Sequence, residues 1–85
     1  MQSEEFIRKC KWIVAEYFNE NVDVTDHRNI TVNDVYVVWY CKSLQNHKAL
    51  LSTNAPDGMY YEITYNGDRD ETYVDVYKKW KNFVR

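Results

Sequence analysis

The sequence predicts an α+β fold of two layers, in the order α-β-β-β-α, with both helices on one face of a three-stranded antiparallel sheet. Three observations predict it: an apolar stripe with helical spacing near the start, three strand-like runs in the middle, and a second stripe with helical spacing at the end. The connections between the middle runs are short, which favours an antiparallel meander. With 85 residues, we expect one domain over residues 1–85 and one modest core.

The first helix is predicted over residues 3–19. Ser3 can cap its N-terminus, and two glutamates follow in the first turn, where the helix dipole favours negative charge. Apolar residues then recur at spacings of three and four, as in a helix with one buried face. The members of this stripe are Phe6, Cys10, Ile13, Val14 and Tyr17.

A polar connection is predicted over residues 20–34. Acidic residues outnumber basic ones along it, which is typical of a solvated segment. It ends in Thr31 and Asp34, which have the spacing of a capping box, so we expect a capped turn before the first strand.

The central strand is predicted from Val35 to about Leu44. Residues 35–41 all have β-branched, aromatic or thiol side chains, which favour an extended chain on a packed surface. Strict alternation places Trp39 on the helix-covered face, so we expect it to be a core residue. On this prediction the helix-covered face carries Val35, Val37, Trp39 and Cys41, and the outer face carries Tyr36, Val38 and Tyr40.

Two more strands are predicted at residues 48–53 and 59–65. A turn at 45–47 and a loop at 54–58 separate the three strands, and the loop contains a proline and a glycine suited to turns. Alternation in the later strand again separates two faces. One face carries Met59, Tyr61, Ile63 and Tyr65, and the other carries Tyr60, Glu62 and Thr64.

The C-terminal stretch supports two interpretations. Aromatic and valine side chains recur at three and four over residues 73–84, and basic residues collect at the end, which favours a helix over residues 70–84. Against this, Asn66-Gly67 is a strong hairpin signal, and residues 72–77 have strand character. We expect the helix and keep a fourth strand as the alternative.

The sequence shows no catalytic, cofactor-binding or metal-binding pattern. Cys10 and Cys41 are too few for a disulfide framework and lack the spacing of a zinc site, so we expect two buried free thiols. His27 and His47 fall in predicted turns, and a catalytic pair with Cys41 is disfavoured because Cys41 shares a face with the expected core. We therefore expect a protein that is not an enzyme and holds no cofactor.

The composition narrows the class of partner. The net charge of −2 argues against a protein that binds nucleic acid mainly by neutralising phosphates. No apolar run reaches the length of a membrane span, and the N-terminus lacks the apolar core of a signal peptide. We therefore expect a cytoplasmic protein without membrane contact.

Three segments of the chain carry a resemblance to a known family. Residues 35–50 read VYVVWYCKSLQNHKAL, residues 57–68 read DGMYYEITYNGD, and residues 73–80 read YVDVYKKW. They resemble a family of small uncharacterised proteins encoded by phages and prophages of low-GC Gram-positive bacteria. The resemblance implies a phage origin, often among early or replication-region genes, and a location in the cytoplasm of the bacterial host. It implies no activity and assigns no catalytic residues.

Charge and tyrosine patterning point to an interaction surface. Residues 16–34 carry five acids against one base, residues 57–75 carry six against one, and residues 76–85 carry four bases and no acid. Tyrosines on an outer sheet face are typical of protein interfaces, because each offers apolar area and a hydroxyl. The candidate surface comprises Tyr36, Val38, Tyr40, Tyr60, Asp68, Asp70 and Glu71. Its three acids also suit the start of the predicted last helix.

We expect a small non-enzymatic phage accessory protein that binds another protein, with a host or defence factor among the candidates and self-association also open. The alternative is a nucleic-acid-associated module of the phage replication region. It would stack bases on the outer-face tyrosines with help from Lys42 and Lys48. A small hydrolase or nuclease ranks third.

Overall fold

One helix lies on one face of a four-stranded antiparallel sheet in this computed structural model, which describes residues 1–21 and 29–85. The strands are neighbours in chain order, so the sheet is a meander. The predicted α+β class is confirmed, whereas the prediction of three strands and a second helix is wrong. His27 lies outside the described residues. The elements are α1 (Ser3–Asn21), a 3₁₀ turn η1 (Val32–Asp34), β1 (Val35–Ser43), β2 (Asn46–Thr53), β3 (Met59–Asn66) and β4 (Glu71–Lys78).

The first helix is confirmed and continues slightly beyond its predicted end, to Asn21. Its apolar side turns towards the sheet and rests mainly on β1 and β2. Of the predicted stripe, Tyr17 lies at the margin of this contact and remains partly exposed. The buried side chains of α1 are Phe6, Cys10, Val14, Ala15 and Phe18.

The turn that leads into the sheet is capped as predicted. The amide of Asn33 donates a hydrogen bond to the Thr31 hydroxyl (3.2 Å), and the amide of Thr31 donates to the Asp34 carboxylate (2.9 Å). These reciprocal bonds form a capping box. The side chain of Asn19 binds both backbone groups of Ile30, at 2.8 and 2.9 Å, and so ties this turn to the end of α1.

A β-bulge at Val38 changes the face that each later side chain of β1 occupies. Val37 pairs with Leu51, but the next pair along the ladder is Trp39 with Leu50, so Val38 is an extra residue. An extra residue shifts the alternation by one position. The prediction that Trp39 is a core residue is therefore wrong, because its side chain points away from α1 and is 40% exposed.

Tyr40 and Cys41 lie on the opposite faces to those predicted, for the same reason. Tyr40 pairs with the buried Ala49 and turns towards α1, where its ring centroid lies 5.8 Å from that of Phe6. Cys41 points away from the helix and is exposed. The expectation of a buried thiol is thus wrong for Cys41 and confirmed for Cys10.

The second and third strands alternate as predicted, although β2 starts at Asn46, slightly earlier than expected. The first hairpin turn contains only Leu44 and Gln45. The prediction that His47 lies in a turn is therefore wrong, since it is a strand residue with a buried side chain. In β3 the side chains that face α1 are Met59, Tyr61, Ile63 and Tyr65.

The C-terminal stretch forms a strand, so the predicted helix over residues 70–84 is wrong and the fourth strand is confirmed. β4 pairs with β3 along its whole length without a break. The tight turn at Asn66-Gly67 places the following residues directly beside β3, where they form inter-strand hydrogen bonds with it. Residues 79–85 continue beyond the sheet without regular structure.

The core lies between α1 and the helix-facing side of the first three strands. β4 contributes only at the margin, where Val76 is partly buried and Val74 is exposed. The helix therefore leaves β4 largely uncovered. The largest fully buried side chains are Phe6, Cys10, Val14, His47, Leu51, Tyr61 and Ile63.

The exchange of faces at Val38 predicts unequal effects on stability. Tyr40→Thr should lower the free energy of unfolding by about 2–3 kcal/mol, because it removes a ring packed on Phe6 and a hydroxyl bonded to His47. Trp39→Thr should cost about 1 kcal/mol or less, because that ring is partly exposed and threonine suits a strand. Urea titrations compare the two variants, and a larger loss for Trp39→Thr would assign Trp39 to the core instead.

The two hairpin turns at one end of the sheet meet at Gly67. A Cβ added there would overlap the carbonyl oxygen of Gln45 and lie 2.8 Å from its Cβ. Gly67→Ala should therefore lower the free energy of unfolding by about 2–3 kcal/mol, because the turns must move apart. At Gly58 the nearest atom would be 3.8 Å away but φ is +70°, so Gly58→Ala should cost only about 1 kcal/mol. Equal losses in urea titrations would contradict the steric explanation.

Candidate interaction surface

The sheet face opposite α1, which we call the open face, has no layer on it in the part of the chain that the structure describes. Strand pairing arranges its side chains in rows across the sheet, and one row contains Trp39, Leu50, Glu62 and Asp75, one from each strand. The open face is defined by Tyr36, Trp39, Cys41, Lys48, Leu50, Tyr60, Glu62, Thr64, Tyr73, Asp75 and Tyr77.

Five aromatic side chains make the open face apolar for a solvated sheet. Tyr36 and Trp39 come from β1, Tyr60 from β3, and Tyr73 and Tyr77 from β4. Four of the five side chains are between 40% and 50% exposed, and Tyr60 is partly buried beside its direct cross-strand partner Tyr77. Rings of this kind are enriched where proteins bind one another, because they bury large apolar areas on contact.

Two carboxylates face each other within this aromatic surface. Glu62 and Asp75 are a direct cross-strand pair of β3 and β4. Like charges in this position repel each other and destabilise a sheet. The ammonium of Lys48 lies 4.0 Å from Glu62 Oε1, whereas no cation among the described residues pairs with Asp75. The open face therefore carries negative charge that the protein itself compensates only in part.

Each tyrosine hydroxyl of β4 donates a hydrogen bond to a nearby carboxylate. Tyr77 Oη donates a hydrogen bond to Glu62 at 3.4 Å, and the charge of Glu62 is the largest cause that raises the pKa of Tyr77 above its ordinary 10.0. Tyr73 donates a hydrogen bond to Glu71, and this bond is the largest cause that raises the pKa of Tyr73. Both hydroxyls therefore stay protonated at neutral pH and keep a proton to donate.

The predicted acidic cluster lies at the turn between β3 and β4, at one end of the sheet. Asp68 accepts a hydrogen bond from the side-chain amide of Gln45, and Asp70 accepts one from the Tyr65 hydroxyl at 2.8 Å. Glu71 is the first residue of β4 rather than part of a helix. Asp68 and Asp70 thus form hydrogen bonds that fix the turn.

A family match covers the chain from residue 7 to residue 85, which includes nearly all of α1 and every strand. The chain belongs to DUF6275, a family of unknown function. No curated protein and no solved structure matches the chain. The DUF6275 match therefore includes both the elements that form the core and those that form the open face.

The structure brings together part of the surface predicted from the sequence of this DUF6275 protein. Tyr36 and Tyr60 lie on the open face and Val38 is exposed at the bulge, whereas Tyr40 lies under α1. The sequence prediction missed three open-face aromatic side chains, one after the bulge in β1 and two in β4, where a helix was expected. They are Trp39, Tyr73 and Tyr77.

A buried hydrogen-bonded chain fastens the N-terminal end of α1 to the helix-facing side of β1 and β2. His47 Nδ1 lies 2.6 Å from Tyr40 Oη, and His47 Nε2 lies 3.1 Å from the carbonyl oxygen of Met1. Because a carbonyl can only accept, Nε2 carries the proton of the neutral ring and Nδ1 accepts from the Tyr40 hydroxyl. Ser3 Oγ lies 2.8 Å from the same hydroxyl, and Phe6 stacks on the imidazole at 4.9 Å. Both ring nitrogens of His47 therefore have hydrogen-bond partners within the protein.

Cys41 and His47 lie on opposite faces of the sheet, so the structure does not assemble them as a catalytic pair. The other thiol, Cys10, is buried, and this burial raises its pKa to about 12, which keeps it protonated. Among the described residues, no three His, Cys, Asp or Glu side chains are placed to hold a metal ion. No helix in the same part of the chain has the length and apolar composition needed to cross a membrane.

Stability should depend on pH through His47. Burial is the main cause that lowers its pKa below the ordinary 6.5, and the charges of Lys42 and the N-terminal amine act in the same direction. The hydrogen bond to the Met1 carbonyl acts against them. The unfolded chain therefore takes up a proton at a higher pH than the folded protein does. The free energy of unfolding should be highest above about pH 7 and should fall as the pH drops through about 6.5.

Urea titrations over this pH range measure the effect, and His47→Gln is the matched variant. Glutamine removes the titrating ring while retaining hydrogen-bonding atoms at the same position. Its free energy of unfolding should be lower throughout but should change less with pH than that of the parent. The same pH dependence in parent and variant would assign the effect to other groups.

Proposed function

We propose that this DUF6275 protein is a non-enzymatic accessory protein that binds a partner protein through its open face. The observation that carries the proposal is the set of five aromatic side chains on a sheet surface that no described element covers. Contact between apolar surface and water is unfavourable, and contiguous apolar patches on a protein surface commonly mark binding sites. Covering the open face with a partner therefore provides the driving force for association.

The open face also has the polar groups that give a partner specificity. Trp39 and Leu50 form a neighbouring apolar pair, which suits a desolvated centre of contact. The hydroxyl of Tyr77 offers a hydrogen bond, and the charges of Glu62 and Asp75 favour a partner that brings a cation. The expected partner surface is therefore apolar and carries lysine or arginine.

The setting that we propose is the cytoplasm of a bacterium infected by a phage. The resemblance of residues 35–50, 57–68 and 73–80 to small phage proteins supports this setting. A host or defence factor is the class of partner that it suggests.

A nucleic-acid-associated function is the second candidate, because exposed rings can stack on unpaired bases. Tyr36 and Tyr60 provide such rings, and Lys48 provides a cation on the same face. Against this function, Glu62 and Asp75 put negative charge where phosphates would approach. We therefore rank the protein partner first.

Replacing two open-face rings should remove partner binding and leave the fold intact. The double variant Trp39→Thr and Tyr77→Thr should bind the partner about 30-fold more weakly, which corresponds to about 2 kcal/mol at a hot spot. Both rings are partly exposed strand residues, so each replacement should cost about 1 kcal/mol or less and the double variant should still unfold cooperatively. A quantitative pull-down from phage-infected cells, followed by titration of the purified partner, measures the change.

Trp12→Gln is the matched control for this experiment. Trp12 is also an exposed tryptophan, but it lies on α1, on the other side of the sheet. Its replacement should leave binding unchanged. Binding that persists at about 0.5 M salt fits an apolar protein contact, whereas steep loss fits nucleic acid. Equal binding by the parent and the double variant would contradict the open face as the binding surface.

A further inference from the structure

A basic aromatic segment, residues 79–85, follows β4 and lies outside the sheet. Its largest side chains are in water, since Trp80 and Val84 are each 95% exposed and Phe83 is 60% exposed. A tryptophan ring has much apolar area to bury, so this conformation leaves a favourable contact unmade. The charged residues of the segment are Lys79, Lys81 and Arg85, with no acid among them.

The basic segment leaves the sheet beside the open face. The amide of Lys79 donates a hydrogen bond to the carbonyl of Gly58 at 2.8 Å, which continues the direction of β4 by one residue. The Lys79 ammonium lies 6.0 Å from the ring centroid of Tyr60, which is an open-face residue. A cation–π contact thus already joins the first residue of the basic segment to the open face.

The open face and the basic segment are complementary in charge and in apolar character. Glu62 and Asp75 repel each other across the strands, and a lysine or arginine placed at them would relieve that repulsion. The neighbouring Trp39 and Leu50 offer apolar area to a ring such as that of Trp80. The basic segment therefore provides cations for the carboxylates of the open face, and the open face provides apolar area for the rings of the basic segment.

The hydrogen bond of Lys79 disfavours folding of the basic segment back over the open face of its own chain. Residues 78–81 contain no glycine or proline that would favour a reversal, and the Lys79 amide is held in line with β4. A second copy presents the same face without this restriction. Seven extended residues span about 23 Å, which exceeds the roughly 14 Å between the outer strands of a four-stranded sheet.

The open face alone is smaller than the area that a stable protein interface buries on each partner. Four strands of about eight residues present roughly 19 Å by 26 Å, or about 500 Å². Stable interfaces bury about 800 Å² on each partner. A basic segment that lies across the face would supply the difference.

We infer that two copies of this chain associate through their open faces, with the basic segment of each copy lying across the open face of the other. Lys81 and Arg85 of one copy neutralise Glu62 and Asp75 of the second, and Trp80 packs among its aromatic side chains. The contacts are reciprocal, as in a two-fold dimer. This inference rests on the proposed function of the open face and names a second copy as its partner.

Mixing two complementary variants tests the arrangement. The face variant, Glu62→Lys with Asp75→Lys, retains its basic segment. The segment variant lacks residues 80–85 and retains its open face together with the hydrogen bond from Lys79 to Gly58. In sedimentation equilibrium, each variant alone should dimerise at least about 30-fold more weakly than the parent. An equimolar mixture should associate about 10-fold more tightly than either variant alone, because one intact contact remains.

The control variant carries two charge reversals of the same kind on α1, Glu16→Lys and Glu20→Lys, both at exposed positions. It should dimerise as the parent does. A parent that stays monomeric at about 100 μM would overturn the inference, as would a segment variant that dimerises normally or a mixture no tighter than its components. The proposed function is decided separately, by the binding of a foreign protein to the Trp39→Thr and Tyr77→Thr double variant.

Discussion

The single extra residue at Val38 determines how the sheet divides its apolar side chains between a core and a surface. Before the bulge, Val35 and Val37 face α1, and after it Tyr40 does, so both halves of β1 support the helix. A regular strand would bring Trp39 under the helix and turn Tyr40 to solvent. Because interiors are closely packed, the larger indole would not fit the same space without moving α1. The bulge therefore determines both which side chains of β1 enter the core and which lie on the open face.

The confirmed elements each have a local signal in the sequence, and this made them predictable. The helix has its apolar stripe, the turn has its Thr31 and Asp34 cap, and β3 has strict alternation. The bulge has no such signal, because residues 35–41 all favour a strand and tolerate either face. The face that Trp39 occupies is determined by its pairing with Leu50 on the neighbouring strand. The sequence of β1 by itself carries no information about that pairing.

The C-terminal strand was harder to predict because its pattern suits both periods. Tyr73 and Tyr77 share a side whether the chain is helical or extended, since residues four apart align in either state. The hairpin at Asn66-Gly67 decides between them by bringing β3 within hydrogen-bonding distance. Tyr73 and Tyr77 lie on the open face only because this stretch is a strand, so of the five open-face aromatic side chains the sequence predicted Tyr36 and Tyr60 alone.

β4 is held differently from the other strands. It forms an edge of the sheet, its ladder among the described residues is with β3, and α1 reaches it only at its margin, where the Lys9 ammonium donates a hydrogen bond to Thr72 at 3.0 Å. Val74 and Tyr77, on opposite faces of β4, are both exposed and Val76 packs only at the margin of the core, so detaching β4 uncovers less apolar area than detaching β2 would. The free energy of such local opening therefore lies well below that of global unfolding. We therefore expect the amide protons of β4 to exchange with solvent before those of β2, with the helix and the first three strands as the more slowly exchanging unit.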